Sequence, residues 1–181
     1  MAAPFEVWHA CTEVPDEALV EYPLELSSQS SGIGEIECMG FQICEWQGEW
    51  YSLQFMASEH TLDEFRTTTN MTNFEMVTVL GSSGLKYDRT SDARRDRRMF
   101  SCLVAFPFER QIVRIGIIAN PTIAMGAADL RDTGRFYSYQ YEERLGDRID
   151  EFQAAGQWVP EEPCDILERV YANVREYMPQ Q

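Results

Sequence analysis

The chain has 181 residues, 44% of them apolar, and a net charge of −15. That length suits one domain, the apolar share is too high for a disordered chain, and no run of about 18 apolar residues is present to cross a membrane as a helix. The charge is unevenly placed: residues 1–65 hold 13 acidic residues and no lysine or arginine, whereas residues 66–181 hold 17 acidic and 15 basic ones. Such asymmetry speaks to partners and association rates rather than to fold, and it disfavours a polyanionic ligand such as nucleic acid.

Met1 to Ala10 has neither a basic lead nor a long apolar core, so no secretory signal is expected there. Five cysteines (Cys11, Cys38, Cys44, Cys102 and Cys164) form no CxxC and no regular framework. The odd count in a long chain predicts reduced thiols and a cytoplasmic, reducing setting.

Residues 1–32 read as an acidic segment in which Pro4, Pro15 and Pro23 prevent a long helix and which lies on the surface. Ser27–Gly34 (SSQSSGIG) reads as a flexible loop leading into a single α+β domain over residues 33–181. A hairpin is expected over 35–57. A three-residue turn at Gln47-Gly48-Glu49 pairs Phe41 with Phe55, Ile43 with Leu53 and Trp46 with Trp50, like with like. Thr61 and Glu64 have capping-box spacing for a short helix ending near Thr69, with Leu62 and Phe65 turned inward.

Phe74–Leu80 (FEMVTVL) reads as a strand closed by Gly81-Ser82-Ser83-Gly84, with Leu85–Arg89 continuing as strand or edge. Met99–Phe108 and Gln111–Ala119 are two nearly continuous apolar runs, the mark of central strands covered on both faces. Residues 123–130 read as a loop or a single helical turn. Tyr141, Leu145, Ile149 and Phe152 recur at helical spacing. Pro163 opens a last helix whose apolar stripe runs through Ile166, Leu167, Val170, Tyr171, Val174, Tyr177 and Met178, with Asp165 and Arg169 paired on its wet side.

The fold class is therefore α+β: an antiparallel sheet of about five to seven strands, a short helix after the first hairpin, and C-terminal helices packed on one face. The order of elements resembles the Mog1/PsbP-like sandwich and, less closely, the START-like helix-grip fold. No residue motif from either accompanies the likeness, so no functional residue is carried over.

Chemistry is sparsely signalled. No GxSxG, HExxH, P-loop or GxGxxG is present, and neither the carboxylates nor the Cys and His residues have metal-site spacing. Glu59-His60 is the one adjacent acid–base pair, and neighbours in sequence do not share a face. No enzyme and no cofactor is implied. Arg94, Arg95, Arg97 and Arg98 cluster ahead of a central strand, in a stretch from Lys86 to Arg114 with a local charge of +4. Trp46 and Trp50, with Glu45 and Glu49, flank the hairpin turn, where tryptophan suits a binding contact as well as cross-strand packing.

These features point to a non-enzymatic, intracellular protein–protein binding module: an adaptor, an inhibitor or immunity protein, a chaperone, or a subunit of a larger assembly. Its acidic N-terminal face would meet a basic partner, its Arg-rich loop an acidic one or another copy, with nucleic acid unlikely as a ligand. The alternative is a small-ligand carrier or small enzyme with a pocket between sheet and helices, lined by Phe100, Leu103, Phe106, Ile115, Ile117, Tyr137, Tyr139 and Tyr141.

Overall fold

A computed structural model describes residues 6–32, 40–48, 51–90, 101–119 and 161–179. Seven strands form one sheet: β1 (Leu24–Ser31), β2 (Phe41–Gly48), β3 (Tyr51–Ser58), β4 (Met71–Val79), β5 (Ser82–Arg89), β6 (Ser101–Phe108) and β7 (Gln111–Ala119). Their spatial order is β1-β2-β3-β7-β6-β5-β4, and every neighbouring pair is antiparallel. Three helices accompany the sheet among the described residues: α1 (Ala10–Glu13), α2 (Leu62–Arg66) and α3 (Pro163–Val174). The molecule is thus mostly sheet, with few and mainly short helices and the C-terminal one laid across one face.

The two apolar runs do occupy the middle of the sheet. β7 lies between β3 and β6, and Ile112, Val113, Ile115 and Ile117 are all buried. Alternation sends Val113, Ile115 and Ile117 to the face under α3, while Ile112 joins a smaller cluster with Phe65, Leu85, Tyr87, Leu103 and Ala105 on the other face. The stripe of α3 buries Ile166, Leu167, Val170, Tyr171 and Val174, and the Tyr171 ring stacks on Phe106 with centroids 4.4 Å apart. Arg169 pairs with Glu161, not with the expected Asp165.

The capping box of α2 forms as its spacing predicts. The Thr61 hydroxyl accepts from the Glu64 N–H at 3.3 Å, and the Glu64 carboxylate accepts from the Thr61 N–H at 2.8 Å. The helix is shorter than expected and stops at Arg66, where the β-branched Thr67–Thr69 run begins.

The first hairpin takes another register. Cys44 lies opposite Phe55, Trp46 opposite Leu53 and Phe41 opposite Ser58. An odd offset of three residues from the expected pairing moves Cys44 and Trp46, rather than Phe41 and Ile43, onto the face of Leu53 and Phe55. The tertiary reason is visible on that face. Trp46 has far more apolar area to bury than Ile43, and Cys44 must face α1 to bond Cys11.

Ser27–Ser31 belongs to β1, so much of the expected flexible loop is strand. Likewise Ser82 to Gly84 belong to β5, and only Leu80-Gly81 make the turn. Their φ angles of 47° and 87° give the two-residue type I′ hairpin that matches strand twist.

Residues 6–32 do not form a separate surface layer. Val7, Ala10, Val14, Leu19 and Tyr22 enter the main core, and Trp8 Nε1 donates to the Tyr177 carbonyl at 2.8 Å. The acidic side chains interleave with these apolar ones, so the segment buries one side and shows the other.

Two disulfides overturn the reading of reduced thiols. Cys11–Cys44 joins α1 to β2 across 33 residues, and Cys102–Cys164 joins β6 to the start of α3 across 62. Bridges of this kind persist in oxidising surroundings, so the cytoplasmic, reducing assignment is corrected to an oxidising one, as on the cell exterior or in a secretory lumen. The pairing escaped the sequence because each partner comes from a different element. Cys38 lies outside the described residues.

Candidate interaction surfaces

The sequence-derived candidates fall on both sides of what the structure describes. Arg94, Arg95, Arg97, Arg98, Glu49 and Trp50 lie outside the described residues. Trp46 is fully buried and packs edge-to-face on Phe55 at 5.9 Å, so its indole serves the core. Its Nε1 finds no hydrogen-bond partner among the described residues, a cost accepted for the area buried. Glu45 is half-buried on the opposite face, where its carboxylate accepts from Gln47 at 2.7 Å and from Gln54 at 3.4 Å.

That face holds a polar string inside an otherwise apolar surface. Arg114 is only 8% exposed; its Nη2 donates to Gln54 Oε1 at 2.9 Å, and its Nε has no partner among the described residues. Among the described residues no carboxylate comes within salt-bridge distance of it. The Tyr87 hydroxyl is buried close by without a hydrogen bond of good geometry. Burial pushes its pKa up, while the Arg114 charge pulls the other way.

The two histidines do not meet. His9 caps α1, its Nδ1 accepting from the Cys11 N–H at 3.2 Å, and His60 is exposed against Phe41. Of the residues proposed to line a ligand pocket, Phe106, Ile115 and Ile117 are fully buried under α3, whereas Leu103 faces the other way. Phe100, Tyr137, Tyr139 and Tyr141 lie outside the described residues.

Sequence reasoning singled out the acids of the N-terminal third, and their placement is informative. Glu6, Glu13, Asp16, Glu17, Glu21 and Glu25 are all exposed, as are Glu59, Asp63 and Glu64. Beneath them the chain is held by the Cys11–Cys44 bridge, and Asn173 Nδ2 donates to the Tyr22 hydroxyl at 3.1 Å. Burial holds the Tyr22 pKa above its ordinary value and pushes that of Tyr51 up to about 12. These charges are therefore carried on a rigid base.

What the sequence missed is the far edge of the sheet. Among the described residues β4 has a partner on one side only, and Asn73, Glu75, Met76 and Thr78 stand exposed along it. A bulge at Asn73 (φ 54°) interrupts its ladder, and Asn73 Nδ2 donates to Asp88 Oδ2 at 2.8 Å. Beside the bulge, between β4, β5, the start of β6 and the first turn of α3, lies a cavity of about 410 Å³. It is lined by Asn73, Glu75, Lys86, Asp88, Ser101, Glu162, Pro163 and Cys164. Only the free thread of exposed residues in FEMVTVL hinted at this edge.

No family model, curated protein or solved structure matches the chain. Among the described residues no helix is long and apolar enough to cross a membrane. What fold and bridges define is a class: a disulfide-stapled, antiparallel α+β domain. A fold class of this kind brings no activity with it.

Proposed function

We propose that this protein is a non-enzymatic binding module of an oxidising setting, of the adaptor, inhibitor or chaperone kind, that docks a protein with a basic surface. The observation that carries the proposal is the exposed acidic set from Glu6 to Glu25, anchored by buried apolar neighbours and a disulfide. Charges on a fixed base steer an incoming partner and set its orientation at little entropic cost. No lysine or arginine in the first 65 residues dilutes that field.

The test is capture of the partner from the protein's native fluid by cross-linking, followed by association rates at about 50 and 500 mM salt, where screening lengths fall from roughly 14 to 4 Å. The expected result is an association rate that drops steeply with salt while dissociation changes little. An association rate that does not change across that range rules the proposal out.

A further inference from the structure

The two edges of the sheet are not treated alike. β1 (LELSSQSS) is rich in serine, carries Glu25, and loses its register between Glu25 and Ser30, where the Ser28 hydroxyl takes the Gln47 N–H at 2.8 Å. Such irregularity blunts an edge against pairing. β4 runs for nine residues with Glu75 as its one charge, and from Glu75 to Val79 its ladder with β5 is unbroken. Met76 is 53% exposed and Leu80, at the hairpin tip, 44%. The tip is braced from behind, since the Tyr171 hydroxyl donates to Ser82 Oγ at 2.7 Å. Beyond its bulge, the regular stretch 75–79 of β4, with a braced tip, is a template for another strand.

We propose that the open edge of β4 receives an extended segment of a partner protein by strand addition, and that the segment is basic. Main-chain hydrogen bonds from β4 would give the added strand its direction. Alternation then sends one set of its side chains toward Met76 and the other toward the cavity beside the bulge. Among its described lining residues that cavity offers Glu75, Asp88 and Glu162 against one cation, Lys86, so a lysine or arginine of the added strand completes it. A second copy of this chain fits worse, because two molecules of charge −15 repel and β4 itself carries no cation; the nearby Arg66 guanidinium lies against Met76 Sδ, on the face away from the cavity. This inference rests on the proposed basic partner and names where its chain is held.

The experiment uses the intact, oxidised protein and two dye-labelled peptides of equal charge. One alternates valine with lysine; the other replaces alternate valines by proline, which removes main-chain donors. Fluorescence anisotropy should show the first peptide binding and the second at least about tenfold weaker, with amide exchange slowed along β4. Glu75→Lys should weaken the first peptide by about tenfold and Met76→Lys by a smaller factor, through charge and edge blocking respectively. Both side chains are exposed, and unchanged circular dichroism confirms that the variants fold.

Equal binding of the two peptides overturns strand addition while leaving acidic-face steering intact. So does wild-type affinity in both variants, or absence of binding by either peptide. Self-association of the protein alone, abolished by Met76→Lys, would assign the edge to a second copy and likewise overturn the proposal. Salt-independent capture of the native partner removes the basic-partner reading instead, and the proline control still reports on the edge.

Discussion

The two faces of the sheet solve burial differently. Under α3 and residues 6–22 the face is mainly apolar, from Trp46 and Phe55 to Phe106 and Ile117, and both disulfides pin its cover. On the opposite face the apolar cluster around Phe65, Tyr87 and Leu103 shares space with Arg114, Gln54 and Glu45. Hydrophobic burial and chain entropy dominate the first face. On the second, a desolvated guanidinium has one good hydrogen bond among the described residues, and its burial carries a cost. The lesson is that this domain is held from one side, so perturbations of equal size should have unequal and even opposite effects.

The largest expected effect comes from reduction. By the chain-entropy estimate each bridge contributes about 4 kcal/mol, so denaturant unfolding with and without reductant should differ by several kcal/mol. If reduced and oxidised protein share a midpoint, the contrast between faces loses its main support. Next is Phe106→Ala, which removes the ring stacked on Tyr171 and opens a cavity under α3, at a cost of about 3–5 kcal/mol.

Arg114→Met should go the other way on the opposite face, leaving stability unchanged or raising it by about 1 kcal/mol, because a buried charge with no carboxylate partner among the described residues gives way to an apolar chain of similar reach. A loss of more than about 2 kcal/mol would mean that Arg114 is held by a strong anionic partner. Leu80→Asn should stabilise by about 0.5–1 kcal/mol, since asparagine tolerates the positive φ that leucine adopts there at a cost.

Alkaline titration probes both faces together. Burial raises the pKa of Tyr22 and Tyr51 on the α3 side, Tyr51 to about 12, and that of Tyr87 on the other. A raised folded-state value means the native state holds the phenolic proton more tightly than the unfolded chain. The resulting stability is complete below the ordinary tyrosine value of 10.0 and is lost as pH rises toward the folded values. Phenolate absorbance from Tyr22, Tyr51 and Tyr87 should therefore be delayed beyond the ordinary tyrosine value and appear with unfolding. A single early stage would show that they are not buried.

Much of the fold was legible where a local rule decides it. The capping box at Thr61 and Glu64, the stripe of α3 and the doubly covered strands β6 and β7 follow from spacing and composition within one element. The asymmetric charge was equally plain, since it is counted and not folded.

Tertiary structure decided what depends on two distant elements meeting. The hairpin register turned on which of Trp46 and Ile43 gains more by facing α3, and no turn residue states that preference. The bridges depend on α1 meeting β2 and β6 meeting α3, which sequence separations of 33 and 62 residues do not reveal. The serines of β1 read as loop because alternation of polar residues carries no hydrophobic signal, yet backbone pairing with β2 made them strand. The buried Arg114 and the open edge of β4 were likewise set by strand order, because only that order tells which strand is central and which is left without a neighbour.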